Sequence, residues 1–226
     1  MSLPTSVQFN CPRCGEKITL RAWESINTQI PDVAKQIMSR ELFAFTCPKC
    51  KLQDHVDYDM LYNDMEHDMM IQVLHYKSAE DVPVDSFLRM RDLMKGCAFR
   101  IVHDNLRLAE TVTALEYGRD DRLIELCKWI VFNTYLLPQQ PDMELDKALY
   151  AYSDEKKMDF ISFYGKNGEH LIAIFDENLE KMYSGLKDIF LPAIEEECAD
   201  RLIFDYDWAG DFALSHMDLL GGDQEE

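Results

Sequence analysis

The chain has 226 residues, 47% of them hydrophobic, with 42 acidic against 23 basic residues and a formal net charge of −19. That apolar fraction supplies a core, yet no apolar run reaches the roughly 18 residues of a membrane span, and the first nine residues lack the basic and hydrophobic regions of a secretory leader. The excess of negative charge disfavours nucleic-acid backbones and acidic membrane surfaces.

Seven cysteines are too few and too unevenly placed for a disulfide scaffold, and fit a reducing, cytoplasmic compartment. Four fall in two matched knuckles, Cys11-Pro12-Arg13-Cys14-Gly15 and Cys47-Pro48-Lys49-Cys50-Lys51. Cys97, Cys127 and Cys198 stand in apolar stretches and read as small buried hydrophobes.

A short strand over 7–9 is expected to enter the first knuckle and another over 18–21 to leave it. Two thiolates separated by two residues can occupy two corners of a tetrahedron, and a second such pair completes it around Zn²⁺. Proline after each first cysteine fixes φ and pre-bends the turn. Gly15 suits the positive φ that such turns use, whereas Lys51 in the matching place implies strain or another geometry. The spacing of 32 residues between Cys14 and Cys47 exceeds the roughly 15–20 of common ribbons, and leaves room for a helix. That helix is expected from Ile30-Pro31-Asp32 to Met38, with Val33 and Ile37 on its buried face. Residues 42–46 read as a strand with Phe43 and Phe45 on one face and Trp23 nearby.

A single Cys-Pro-x-Cys could be a redox dithiol, but no βαβ unit follows, and two matched copies point to four metal ligands. The predicted site is a structural zinc held by Cys11, Cys14, Cys47 and Cys50. Four protein ligands leave no open position for catalysis. Arg13, Lys17, Lys49 and Lys51 give residues 1–51 a local charge of +3 against −22 for the remainder. These cations either offset the −2 of a zinc–tetrathiolate or form a small phosphate-contacting patch.

Downstream, strands are expected over 70–75 and 98–102, a polar connection over 77–84 and a helix over 86–94 ended by Gly96. Residues 105–115 remain ambiguous. Asp120-Asp121 opens a strong helix with Leu123, Cys127, Ile130 and Val131 at helical spacing, ended at 137–141. Strands over 149–152, 159–164 and 170–175 follow, the last two joined by an Asn167-Gly168 hairpin turn. A short helix over 179–183, a longer one over 187–200 broken by Pro192, a strand over 202–206 and a flexible acidic tail over 221–226 complete the chain.

Met1-Ser2, Pro4-Thr5, Val7-Gln8-Phe9 and the paired knuckles together resemble the CpXC-domain proteins. So do Trp23-Glu24-Ser25-Ile26-Asn27, Leu42-Phe43, Tyr58 and Leu61-Tyr62-Asn63-Asp64-Met65. The resemblance continues through Arg100-Ile101-Val102, Asp120-Asp121-Arg122 and Ile124-Glu125-Leu126, and covers roughly the first 130 residues. It implies a prokaryotic cytoplasmic protein with a zinc-type site at the four cysteines, and no particular activity. Lys51 departs from the usual glycine but leaves the ligands intact.

Other candidates carry less weight. Asp205 and Asp207 on the expected strand, with Asp211, could gather a divalent cation or serve an enzyme's acidic site between ribbon and body. Asp64, Glu66, His67 and Asp68 fit acid–base or metal chemistry and a charged loop equally well, and His55 is a spare ligand or a surface histidine. No phosphate loop, nucleophile elbow, zincin or dinucleotide motif is present. The sequence therefore predicts an α+β protein: a zinc-ribbon-like module with a helical insertion (residues 1–137), then an α/β body with a β-hairpin and helices (138–226). The leading functional expectation is a non-catalytic protein-binding or scaffold module whose acidic body suits a basic protein partner. The alternatives are the acidic-site enzyme and nucleic-acid contact through Arg13 and Lys49.

Overall fold

A computed structural model describes residues 2–75, 82–94 and 96–220, and shows a mixed α+β protein. Most of the expected 77–84 connection and the whole 221–226 tail lie outside the described residues. The chain divides into two compact units, Met1–Val112 and Thr113–Glu226, and the division falls before the 137/138 boundary expected from composition.

The first unit is built on a mixed sheet of order β1-β2-β5-β6-β7. β1 (Leu3–Asn10) and β2 (Lys17–Asn27) are longer than the sequence suggested and form an antiparallel hairpin from Leu3↔Ser25 to Asn10↔Lys17. β2 thus runs from the first knuckle to the sheet centre, where Ser25, Ile26 and Asn27 pair in parallel with β5 (Met60–Asp64). β5 joins β6 (Met69–Val73) antiparallel, and β6 joins β7 (Ala98–Val102) in parallel. Ala22, Ile26, Tyr62, Ile71 and Ile101 are buried along these strands.

Between the knuckles lies α1 (Val33–Met38), with Val33 and Ile37 buried as the spacing predicts. Residues 42–46 correct the expectation of one strand. Glu41–Phe43 is a 3₁₀ turn and only Ala44–Thr46 is strand (β3), paired with β4 (Gln53–His55). The turn separates the two phenylalanines: Phe43 meets Tyr58 at 5.3 Å, while Phe45 packs edge-on to Phe9 at 4.8 Å. Trp23 is half-buried with the Arg21 guanidinium 5.3 Å from its ring, outside the cluster around the cysteines. α2 (Val84–Leu93) precedes Gly96, whose φ is +86°. The ambiguous 105–115 stretch is helical, α3 (Asn105–Glu116).

The second unit packs a three-stranded antiparallel sheet against helices. β8 (Leu145–Ser153), β9 (Met158–Gly165) and β10 (His170–Ile174) lie in the order β10-β9-β8. The hairpin turn forms as predicted, with the Gly168 N–H donating to the Gly165 carbonyl at 3.0 Å and Gly168 at φ +93°. α4 (Asp121–Ile130) is capped by the Asp120 side chain, which accepts from the Arg122 N–H, and runs on into a π-helical turn, Val131–Leu136. Its buried face includes Leu123, Cys127 and Ile130, together with an unforeseen buried ion pair between Lys128 and Glu125 at 2.5 Å.

Two expectations fail here for one reason: the apolar stripe outweighs local signals. α5 is a single helix, Glu177–Glu197, with Pro192 inside it. Leu179, Tyr183, Leu186, Phe190 and Ile194 are buried in steps of three and four through the proline, so core packing holds the helix across the missing N–H. The expected strand over 202–206 is absent. Asp205 is the N-cap of α6 (Tyr206–Ser215), and Trp208, Ala209, Phe212 and Ala213 form its buried face. A last short helix, α7, spans Met217–Leu220. Among the described residues, no helix is long and apolar enough to cross a membrane.

Candidate metal centre

The two knuckles are the tips of two hairpins, and they have the same backbone construction. In the first, the Cys11 N–H donates to the Glu16 carbonyl at 2.8 Å and the Gly15 N–H to the Cys11 carbonyl at 2.9 Å. In the second, the Cys47 N–H donates to the Leu52 carbonyl at 2.8 Å and the Lys51 N–H to the Cys47 carbonyl at 3.1 Å. Gly15 has φ +72° and Lys51 φ +59°. Lys51 therefore adopts the glycine conformation and takes on its strain, rather than using a different turn.

All four predicted cysteines converge. The Sγ atoms of Cys11 and Cys50 are 3.6 Å apart, as are those of Cys14 and Cys47, and all four lie within 4.8 Å of one another. Four sulfurs bound at about 2.3 Å on a tetrahedron would be about 3.8 Å apart, so the spacing fits one shared ion. All four are free thiols; Cys11 and Cys47 are buried, Cys14 and Cys50 half-buried. Phe9, Ile18, Leu20, Phe45, Leu52 and Val56 pack around them, so the hairpins share a small apolar core with the sulfurs at one end.

The electrostatics divide the set unequally. Hydrogen bonds from the Cys50 N–H, then the Lys49 N–H, bring the Cys47 thiol down to about 6 against the opposing effect of burial. At Cys14 the Glu16 N–H acts to lower the thiol, but burial and hydrogen bonding among the neighbouring sulfurs push it up to about 12. One thiolate forms readily and its negative charge opposes the next. Four thiolates in this volume need a cation, which is the chemistry of a metal site. Lys49 reaches from its own knuckle to Glu16 of the other at 3.5 Å, and Arg13, Lys17 and Lys51 are exposed beside it.

The remaining candidates lie apart from the four sulfurs. His55 lies on β4 opposite Ala44, outside the sulfur cluster; burial, and then Arg40, hold its imidazole below the usual value. Asp64 is fully buried at the end of β5, not part of an open loop. Its carboxylate accepts from the N–H groups of Glu66 and His67, both at 3.1 Å, and meets His67 Nδ1 at 2.9 Å. That arrangement closes the β5–β6 turn, and an aspartate followed by polar residues at a strand end was its only trace in the sequence. The acidic-site candidates do not assemble as expected: Asp205 caps α6 by accepting from the Trp208 N–H at 2.9 Å, and Asp207 lies in the first helical turn, not beside it on a strand. Of the scattered cysteines, Cys127 is a core residue, while Cys97 and Cys198 are half-buried.

No curated protein and no solved structure shows a match to the chain. Residues 9–128 match the family model described as CpXC protein. That stretch is more than half of the chain and contains both Cys-Pro-x-Cys knuckles and strands β2 to β7, so the chain belongs to the CpXC family.

Proposed function

We propose that this CpXC protein is a non-catalytic binding or scaffold protein of the cytoplasm whose N-terminal unit is clamped by one structural zinc ion on Cys11, Cys14, Cys47 and Cys50. The observation that carries the reading is the closed set of four sulfurs at the tips of two equivalent hairpins. Soft thiolates in tetrahedral array favour zinc, and four protein ligands leave no position for water or substrate. Held there, zinc would supply a cross-link between hairpins far apart in sequence, and so folding energy rather than chemistry. Residues 113–226 carry 26 acidic and 10 basic residues, a net −16, which supports a basic protein as partner and opposes nucleic acid.

The test has two arms. Protein purified under reducing conditions is assayed for bound metal, with one zinc per chain expected and Cys47→Ser losing it. Cross-linking in cells followed by peptide mapping then asks for a protein partner. Zinc-supplemented protein that retains no metal removes the clamp, and a chain that cross-links to nothing removes the binding role.

A further inference from the structure

The second unit has an open sheet edge with an apolar groove beside it. β10 pairs with β9 alone among the described strands. The Phe175 N–H donates to the Asp159 carbonyl at 3.0 Å just past the Ile174↔Phe160 rung, so in the alternating antiparallel ladder Leu171 and Ala173 also direct their backbone groups to β9. The backbone N–H and C=O of Ile172 therefore point away from the sheet. Leu171 and Ala173 pack against the core, whereas Ile172 is 54% and Ile174 46% exposed. Edge strands in monomeric proteins are ordinarily blunted by lysine, proline or a bulge. His170-Leu171-Ile172-Ala173-Ile174 has none of these. Along β10 lies a groove of about 640 Å³ whose walls include Tyr135, Leu136, Leu179 and Met182, with Asp176 and Lys181 also lining it; Tyr135 is 55% exposed.

We propose that β10 and this groove form a strand-docking site for an extended segment of a partner polypeptide in which apolar and basic residues alternate. An added strand would satisfy the outward backbone groups of β10 and place every second side chain in the groove, the arrangement by which sheet edges capture peptides. Charge selects among occupants. A second copy pairing through β10 would set two units of −16 side by side, whereas lysine or arginine on the solvent-facing positions of a partner strand meets the opposite field. The proposal rests on the binding-protein reading and is independent of the metal.

The test uses the full zinc-loaded chain and a fluorescent, end-blocked decapeptide of alternating valine and lysine. Saturable binding is expected, with amide shifts at Ile172 and Ile174. Affinity should fall at least tenfold for a peptide N-methylated at alternate residues, for a valine–glutamate peptide, and for the Ile172→Asp and Tyr135→Ser variants. Ile172→Asp adds negative charge, so its loss of binding cannot be mistaken for weaker charge attraction. No saturable binding, equal binding to wild type and Ile172→Asp, or a homodimer that Ile172→Asp dissolves each overturns the proposal. A partner cross-linked in cells outside β10 would sink the groove alone; the absence of any cross-linked partner would sink the binding reading itself.

Discussion

Replacing Lys51 with glycine should stabilise the protein, although lysine is the natural residue there. Lys51 is held at φ +59° because the second knuckle repeats the hydrogen bonds of the first, where Gly15 sits at +72°. A side-chain-bearing residue in that left-handed region costs roughly 1–2 kcal/mol. Glycine gives back about 0.5–1 kcal/mol through its greater freedom in the unfolded chain. The net gain is therefore about 0–1.5 kcal/mol, which corresponds to at most about a tenfold change in an equilibrium constant. The assay is chelator competition for zinc together with urea denaturation, because a metal on the proposed site would link binding to the folding of this unit. Gly15→Ala should lose about the same amount; its Cβ would enter open space, so φ alone is responsible. A destabilising Lys51→Gly, or a stabilising Gly15→Ala, would refute the equivalence of the two turns.

Further predictions concern the rest of the chain. A Cβ on Gly210 of α6 would stand 2.6 Å from Trp129 Nε1, while one on Gly185 of α5 meets nothing within 4 Å. Gly210→Ala should thus cost about 1–3 kcal/mol and Gly185→Ala gain about 1 kcal/mol in thermal or urea unfolding; equal effects would contradict the helix packing. Pro192→Ala should stabilise α5 by about 1–3 kcal/mol, since Pro192 is exposed and its ring and missing N–H sit mid-helix; a loss of stability would show that the proline helps shape the helix. Asp104 is half-buried, which raises its carboxyl, but hydrogen bonds from His103 and the Arg107 N–H prevail and hold it at about 2. Its folded value lies below the unfolded one near 3.9, so it contributes stability above about pH 4 that is lost as pH falls towards 2, on the order of 2 kcal/mol. Asp104→Asn should flatten that part of the pH–stability curve, and an unchanged acid limb would rule out the linkage.

The convergence of the four cysteines was legible from sequence because its determinants are local: two cysteines and a proline fix each turn, and matched turns suit a shared ion. Helical spacing also located α1 and α4, and the Asn167-Gly168 pair located the β9–β10 hairpin. The failures arise where a distant surface decides. Pro192 signals a break, and only the buried run from Leu179 to Ile194 shows why the helix continues. Asp205 looks like part of an alternating strand until the four-residue step from Trp208 to Phe212 is seen facing a core. The burial of Asp64 depends on the β5–β6 pairing, which its own neighbours do not announce. The charge reading fared differently at each scale. It set a basic stretch over residues 1–51 against an acidic remainder, but could not reveal that Lys49 bridges to the opposite knuckle through Glu16.

X-ray absorption at the zinc edge of the purified, reduced chain tests the shared-ion claim most directly. The account predicts one zinc per chain with four sulfur neighbours at about 2.3 Å, and loss of that shell when Cys11 and Cys47 are both replaced by serine. Oxygen or nitrogen in the first shell of the wild-type protein, or a spectrum unaltered by that double replacement, would contradict it.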